Sequence, residues 1–427
     1  MTDDTQRRRP KPDVMAIGNR RLQPNTLMMG HGFDPALSEG SLKPPIFLTS
    51  TFVFENAAAG KRFFEGVTGK RPGGAEGLVY SRFNGPNQEI AEDRLGVWED
   101  AEEALTFSSG MSAIATVLMT FVKPGDVIVH SAPLYAATET LIGRIFGKFG
   151  VTWLDFPAGA TEEEIAAVVE KAKAQGHVAM IYLESPANPT NVLVDVQAVA
   201  RVRDRLLGDE KPPIVIDNTF LGPLWLKPLA HGADIVVYSL TKYAGGHSDL
   251  VAGGAVGSKE HLTPVRMMRN TIGTILDPNS SWMLMRSLET LELRMSRAGE
   301  NAAKICAWLK DHPKVEKIVY LGFPESERQA DIYNRHCTGA GSTFSLYLKG
   351  GEAEAFRFLD SLKIAKLAVS LGGTETLASC PAAMTHLSVP DDRKAALDIT
   401  PNMVRISIGV EDADDLIADF EQALAEV

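Results

Sequence analysis

Short apolar runs alternate with helical patterns through the centre of this 427-residue chain. Between the runs, residues 161–175 and 196–207 have the apolar spacing of amphipathic helices, and Thr161 with Glu164 forms a capping-box pattern. This alternation predicts an α/β fold, in which a mostly parallel sheet is covered by helices. Seven runs have the length of buried strands: 104–107, 126–130, 151–156, 178–183, 214–216, 235–238 and 252–256.

The pattern changes after Pro278. One long helix is predicted over residues 280–309, and the strands and helices that follow it indicate a smaller α+β domain. Residues before about 60 are rich in proline and glycine without periodicity, which is typical of an extended arm that crosses a neighbour's surface. We therefore expect an arm over residues 1–60, a large α/β domain over 61–278 and a small domain over 279–427.

Charge and cysteine content exclude several classes of protein. With 54 acidic and 43 basic residues the formal net charge is -11, which argues against nucleic-acid binding. Residues 113–122 are the longest apolar stretch and are about half the length of a membrane span, and the arginines at 7–9 precede no apolar segment, so neither membrane insertion nor export is expected. Three widely spaced cysteines predict free thiols, no metal site and a cytoplasmic protein: Cys306, Cys337 and Cys380.

The most specific chemistry follows the predicted strand at 235–238. This strand leads into Ser239, Thr241 and Lys242. A lone lysine at a strand end is most often a solvated charge. Two hydroxyls on one side of the strand are able to bind a phosphate, however, and a desolvated lysine has the lowered pKa that Schiff-base chemistry requires. Together these residues predict a lysine that binds pyridoxal 5'-phosphate (PLP).

Three other segments offer groups for the same cofactor. Asp217 ends a predicted strand; such a residue usually caps a turn, but beside a PLP lysine it holds the pyridine nitrogen protonated. The turn Ser109-Gly110-Met111 offers backbone N–H groups to an anion at a helix N-terminus, and a simple capped turn is the alternative. Tyr135 lies between a strand and a helix, where its ring either stacks on a flat cofactor or packs in the core.

In chain order these segments resemble the Cys/Met-metabolism PLP-dependent enzymes of fold type I, the cystathionine γ-synthase-like family. The sequence is most similar to the methionine γ-lyase group, and the resemblance covers most of the chain. It implies the fold-type-I transferase architecture and PLP as cofactor. The matching motifs are Tyr80-Ser81-Arg82, Ser109-Gly110-Met111, Glu184-Ser185-Pro186-Ala187-Asn188-Pro189, Asp217-Asn218-Thr219, Ser239 to Tyr243, Ser370-Leu371-Gly372-Gly373 and Val404-Arg405-Ile406-Ser407.

The resemblance also implies a role for each site residue. Lys242 would bind PLP covalently and move protons, while Tyr135 would stack on the ring and protonate the departing sulfur. Arg405, helped by Ser370, would bind the substrate carboxylate. The remaining cofactor contacts would come from Asp217 on the ring nitrogen, Asn188 on the phenolic oxygen, and Ser109, Gly110, Met111, Ser239 and Thr241 around the phosphate. In this family Tyr80 and Arg82 reach the phosphate of the neighbouring subunit, so we expect shared sites in a dimer and a homotetramer of two dimers.

The implied reaction is γ-elimination of an L-methionine-like amino acid to a thiol, 2-oxobutanoate and ammonia. The alternatives are γ-replacement on an O-acylhomoserine, as in cystathionine γ-synthases and homoserine sulfhydrylases, and the cystathionine γ-lyase reaction. Methionine γ-lyases generally carry a cysteine at Ala137 and a Lys-Asp pair at Arg269-Asn270, so two features tied to methionine are missing. Enzymes that use cystathionine often carry Glu at Val369, which here predicts an apolar distal pocket.

The segment that follows Arg82 also differs from the family's usual pattern. The segment from Phe83 to Asn87 replaces the Asn-Pro-Thr variant that the family more often has after Arg82.

No Gly-x-Gly-x-x-Gly follows the first predicted core strand, which argues against a nicotinamide dehydrogenase. A non-catalytic binding protein on the same fold is disfavoured, because Lys242, Asp217 and Arg405 occur together.

Overall fold

The computed structural model describes residues 15–72, 77–387 and 389–427. Its centre is a seven-stranded sheet in the order β1-β7-β6-β5-β4-β2-β3, in which only β7 runs antiparallel to its neighbours. The predicted mostly parallel seven-stranded sheet is thereby confirmed. The strands are β1 Glu103–Phe107, β2 Val127–Ala132, β3 Thr152–Pro157, β4 Val178–Glu184, β5 Ile214–Asp217, β6 Ile235–Ser239 and β7 Gly253–Gly257.

Burial on both faces explains why these strands appear in the sequence as continuous apolar runs. Every residue of β2, β4 and β5 is buried. Alternate residues belong to two different cores: Ile181 and Leu183 pack on one face of the sheet, and Met180 and Tyr182 on the other. The helices that cover the sheet include Pro86–Glu99, Gly110–Phe121, Glu162–Gln175, Val196–Leu206 and Lys259–Ile272.

Helix starts in this region follow the predicted capping signals. Thr161 caps helix Glu162–Gln175, and Glu164 returns its carboxylate to the Thr161 backbone N–H, as the capping-box pattern predicts. Ser109 caps helix Gly110–Phe121 in the same way through Ser112. This second cap places the N-terminus of that helix beside the end of β6.

The C-terminal region forms a second, five-stranded sheet in the order β8-β9-β12-β11-β10, with its own core. This arrangement agrees with the smaller α+β unit expected there. Its strands are β8 Val315–Val319, β9 Thr343–Leu348, β10 Lys366–Leu367, β11 Leu377–Ser379 and β12 Met403–Ser407, and its helices include Glu327–His336, Glu352–Ser361, Asp391–Ala396 and Ala413–Leu424.

The single long helix predicted over residues 280–309 is wrong. The structure has two helices, Pro278–Leu288 and Leu291–Leu309. At the break, the Ser287 carbonyl accepts hydrogen bonds from the Thr290 backbone N–H and from the Arg294 guanidinium. These contacts replace the regular helical bond at this carbonyl, and apolar spacing alone does not reveal them.

Residues 15–60 combine short elements with extended chain. They contain the two-residue strands Ala16–Ile17 and Arg20–Arg21 and helix Pro24–Met28, and helix Ala57–Val67 begins at their end. Three apolar side chains here are mostly exposed: Leu42 at 80%, Leu48 at 78% and Val53 at 79%. This exposure leaves the three apolar side chains available for a subunit interface. The first part of the expected arm, residues 1–14, lies outside the described residues, and the three-part division of the chain stays a prediction.

None of the helices in the described ranges is both long and apolar enough to cross a membrane.

Candidate active site

All but two of the predicted site residues line one cavity of about 310 Å3. The cavity lies at the carboxyl ends of β4, β5 and β6, where open α/β sheets usually bind ligands. Two segments of the C-terminal region close its other side, around residue 370 and along β12. The predicted residues in its wall are Ser109, Gly110, Met111, Tyr135, Asn188, Asp217, Ser239, Thr241, Lys242, Ser370 and Arg405.

Lys242 follows β6 and points into this cavity. Its Nζ donates to the Ser370 Oγ at 2.8 Å. Burial, together with the nearby Arg405 charge, lowers the pKa of Lys242 to about 8, although Asp217 acts in the opposite direction. Ser370 adopts a φ of +127°, which a side chain rarely tolerates, and its carbonyl is held by Arg405 at 2.9 Å. The cavity therefore holds a lysine poised to act as a nucleophile near neutral pH.

Two buried carboxyl groups face each other at the ends of neighbouring strands. Glu184 of β4 and Asp217 of β5 are direct partners in the parallel register. Burial raises the pKa of both, that of Glu184 to about 8, and their mutual repulsion adds to the rise for Glu184. Asp217 accepts the Thr219 backbone N–H at 3.0 Å. Glu184 was not among the predicted site residues; its place at a strand end inside a matching motif was the only available signal.

An anion cradle forms where helix Gly110–Phe121 begins. Among the described residues, the backbone N–H groups of Gly110 and Met111 and the Ser239 hydroxyl have no hydrogen-bond partner. A Cβ at Gly253 would lie 2.0 Å from the Ser109 carbonyl oxygen, so only glycine lets β7 approach this turn. Thr241 also lines the cavity, and its hydroxyl exchanges hydrogen bonds with the Ala252 backbone.

Arg405 is buried without a counter-charge. Its side chain is 4% exposed and pairs with no acidic side chain of the described residues. Its Nη1 donates to the Asn188 Oδ1 at 3.2 Å and its Nη2 to the Ser370 carbonyl. Burial lowers its pKa to about 10. A buried guanidinium with only neutral partners, facing a cavity, suits an anionic ligand such as a carboxylate.

The outer part of the cavity is apolar. Val251 and Val369 are 61% and 59% exposed there, and Tyr135 is 43% exposed. The acidic side chains in the cavity wall are Glu184 and Asp217, and both are buried at its inner end. Among the lining residues, no carboxylate lies on the outer wall to receive a distal ammonium group.

Tyr80 and Arg82 are the two predicted residues that do not line this cavity. The backbone of Tyr80 pairs with Thr51, and its ring is 41% exposed. The exposed Arg82 guanidinium donates to the Asn270 carbonyl and lies 4.7 Å from the Phe83 ring centroid. Their expected contact with a neighbouring subunit stays a prediction.

Arg269 and Ala137 are two of the departures from the methionine γ-lyase pattern. Arg269 is fully buried, where it donates to Glu92 at 2.5 Å and to the Thr106 carbonyl at 3.0 Å. It therefore serves the packing between helices and sheet and lies outside the cavity wall. Ala137 stands in the short helix Ala136–Thr140 directly after Tyr135.

Fold and site together define the class. A mostly parallel α/β sheet carries a lysine of lowered pKa, a buried carboxylate for a protonated nitrogen, and a helix N-terminus with a free hydroxyl for a phosphate. These residues fit PLP, which needs those three partners. The protein is a fold-type-I PLP-dependent enzyme.

Comparison with known proteins places the chain within that class. The sequence profile described as Cys/Met metabolism PLP-dependent enzyme matches residues 25–425. The chain is 36% identical over 405 residues to an L-methionine gamma-lyase of Pseudomonas deceptionensis, covering 94% of this chain and 96% of that one. It is 35% identical to the cystathionine gamma-lyase of Rattus norvegicus over 83% of this chain and 86% of the relative.

Two solved structures have a similar fold over most of this chain. The crystal structure of metB from Corynebacterium glutamicum has a TM-score of 0.84 at 32% identity, covering 95% of this chain and 98% of that chain. The cystathionine gamma-lyase from Lactobacillus plantarum, complexed with L-serine, has a TM-score of 0.83 at 32% identity over 95% and 99%. The chain belongs to the Cys/Met metabolism PLP-dependent enzyme family, and PLP is its cofactor. The resemblance noted from the motifs is thereby confirmed.

Proposed function

We propose that this protein is a carbon–sulfur lyase that cleaves an L-methionine-like amino acid by γ-elimination. The products are a thiol, 2-oxobutanoate and ammonia, and one water is consumed. The observation that carries the proposal is the cavity itself, which brings together a buried guanidinium with no acidic partner among the described residues, a lysine of lowered pKa and an apolar outer wall. Methionine and cystathionine γ-lyases among the relatives support the reaction class.

The inner residues hold the cofactor in this proposal. Lys242 binds PLP covalently, Asp217 keeps the ring nitrogen protonated, and the Tyr135 ring stacks on the cofactor. The phosphate contacts come from Ser109, Gly110, Met111, Ser239 and Thr241, and Asn188 contacts the phenolic oxygen. Bound there, PLP supplies an electron sink for the electron pair released at the substrate α-carbon.

The other roles belong to the chain's own acids and bases. Arg405 binds the substrate carboxylate, with Ser370 beside it, and thereby orients the α-carbon toward Lys242. The freed Lys242 amine would take the α-proton, pass it on and then remove a proton from the β-carbon, the loss that lets the γ-sulfur leave; its lowered pKa suits these proton transfers near neutral pH. Tyr135 protonates the departing sulfur.

Substrate choice follows from the outer wall. The distal ammonium of cystathionine would meet the apolar Val369 rather than a carboxylate, so it would give up contacts with water for a side chain that offers it no partner. An uncharged thioether tail avoids this cost. We therefore favour methionine-like substrates over cystathionine, although Ala137 stands where methionine γ-lyases generally carry cysteine.

The proposal includes a homotetramer built of two dimers with shared sites. Tyr80 and Arg82 are exposed and lie outside the cavity of their own chain, and the apolar side chains at 42–53 offer a surface for a second copy. We also propose a cytoplasmic location, because all three cysteines are free thiols.

Product analysis tests the reaction. Purified, PLP-loaded protein is incubated with L-methionine, L-cystathionine, L-homocysteine or O-acetylhomoserine, with and without an added thiol. We expect methionine to release thiol and 2-oxobutanoate in equal amounts. Turnover of O-acetylhomoserine with thiol and of no thioether would instead establish γ-replacement.

A further inference from the structure

Glu184 occupies an unusual position at the inner end of the cavity. Its two carboxylate oxygens accept backbone N–H groups from two separate segments of the chain. Oε2 accepts the N–H of Tyr135 at 2.7 Å, and Oε1 accepts the N–H of Asn188 at 2.9 Å. Both donors belong to residues that line the cavity. One carboxylate therefore joins two segments that meet the cofactor space.

Tyr135 is held at its backbone N–H by this contact. The residue is 43% exposed, so packing alone does not orient it. The residue is the N-cap of helix Ala136–Thr140, and its side chain makes no cap hydrogen bond. Within the part of the chain that the structure describes, Glu184 is the one acceptor of the Tyr135 backbone N–H.

The same carboxylate acts on the substrate side through Asn188. The Asn188 Oδ1 accepts a hydrogen bond from the Arg405 Nη1 at 3.2 Å. A shift of the Asn188 backbone therefore moves an acceptor that orients the guanidinium. Hydrogen bonds connect Glu184 to the Asn188 backbone and the Asn188 side chain to Arg405. The Glu184 carboxyl group therefore helps to hold residues at both ends of the cavity.

Burial makes this arrangement costly. Glu184 is 5% exposed and lies directly opposite Asp217 on the next strand, so two buried carboxyl groups compete for one region. An apolar strand end would avoid the repulsion, but it would leave the N–H groups of Tyr135 and Asn188 without this acceptor. The contacts to Tyr135 and Asn188 identify what this acid provides.

We propose that Glu184 is a positioning residue for the lyase reaction: through two backbone hydrogen bonds it sets the place of the Tyr135 ring and, through Asn188, of the Arg405 guanidinium. The inference rests on the proposed function for the roles of Tyr135 and Arg405. Glu184 itself touches neither substrate nor reacting atoms in this role.

Two substitutions separate the pair of acceptor oxygens from the length of the side chain, and a third is a matched control. In Glu184→Gln the amide accepts one N–H and turns its own NH2 toward the other donor. In Glu184→Asp the carboxyl group is kept, but the shorter side chain cannot reach both donors. The control is Glu139→Gln, because the Glu139 Oε1 accepts the backbone N–H of Leu134, one residue before Tyr135.

The first measurement needs no cofactor. Hydrogen exchange of the apoprotein, read on peptides that contain Tyr135 or Asn188, should accelerate about tenfold at one or both sites in Glu184→Gln and stay unchanged in Glu139→Gln. In the PLP-loaded enzyme we expect a changed visible circular dichroism of the cofactor, a higher KM and a lower kcat, with kcat/KM reduced about tenfold or more.

Several results would overturn the positioning role. Faster exchange with dichroism and kinetics equal to those of wild type would make the two hydrogen bonds purely structural. Equal losses in Glu139→Gln would assign the effect to the loop as a whole. If Glu184→Gln does not fold, the same comparisons apply to Glu184→Asp. A wild type that turns over no substrate refutes the lyase instead, and exchange with dichroism then decides the role of Glu184 alone.

Discussion

Replacing Arg405 by methionine distinguishes the free-energy cost of burying the guanidinium from its contribution to binding the substrate carboxylate. Methionine keeps much of the side-chain length and removes the guanidinium. Burial lowers the pKa of Arg405 from its usual value to about 10, so below that pH the folded protein disfavours the charged form by about 3 kcal/mol. The substitution removes this cost. It also leaves the Asn188 Oδ1 and the Ser370 carbonyl without their donor, at about 1 kcal/mol or more each.

These contributions nearly cancel in the ligand-free protein. We expect the melting temperature of Arg405→Met, measured without substrate, to lie within about 5 °C of wild type. Catalysis should respond very differently, because a charge-assisted pair with a substrate carboxylate contributes about 3 kcal/mol, or about 100-fold in kcat/KM. Arg405→Lys keeps the charge without the planar fork, so its loss should be intermediate.

Initial rates over a range of L-methionine concentrations, together with thermal melts and the visible cofactor spectrum, check this reasoning. The spectrum should show PLP bound in all three proteins. A kcat/KM of Arg405→Met close to that of wild type would mean that the carboxylate is held elsewhere. A fall in melting temperature of more than about 10 °C would show that the guanidinium is chiefly structural.

Three further predictions concern the remaining site residues. Covalent capture of PLP by the apoprotein should accelerate about tenfold from pH 7 to pH 9, because a pKa of about 8 makes the neutral Lys242 amine the rarer form at pH 7 and the major form at pH 9. Stopped-flow absorbance measures this rate, and a flat profile would contradict the lowered pKa. Val369→Glu should raise kcat/KM for cystathionine relative to methionine, since it supplies a partner for the distal ammonium. A wild type that already prefers cystathionine about tenfold would refute the apolar pocket. Mixing the inactive double variant Tyr80→Ala/Arg82→Ala with inactive Lys242→Ala should restore part of the activity, because a hybrid dimer contains one intact shared site. Proven subunit exchange without recovered activity would place both residues in a structural role.

Local pattern was sufficient for much of the fold. The strands of the large sheet are short and buried on both faces, so their apolar runs were visible directly, and Thr161 marked a helix start by its capping box. The break between Leu288 and Leu291 was missed, because its cause is a set of contacts at one carbonyl rather than a change in periodicity.

The site residues also fall into two groups, those that neighbouring sequence indicated and those that only the folded structure reveals. Lys242 could be predicted as the cofactor lysine because Ser239 and Thr241, the hydroxyls that suit a phosphate, are its close neighbours in sequence. Glu184 was not singled out, because its importance lies in accepting N–H groups from residues 49 and 4 positions away. Arg269 aligned with a position tied to substrate preference, and only the structure shows it buried against Glu92.

The sequence by itself determined the class of fold and PLP as the cofactor, and it predicted Lys242 and the other groups that a PLP enzyme needs, because periodicity and short motifs are properties of neighbouring residues. Tertiary structure decided which of those groups share a cavity and which do not. The register of β4 on β5 sets Glu184 opposite Asp217, and the second sheet brings Arg405 and Ser370 to Lys242. Such distances depend on strand order and packing, so the buried charges, their pKa values and the unpaired guanidinium exist only in the folded chain.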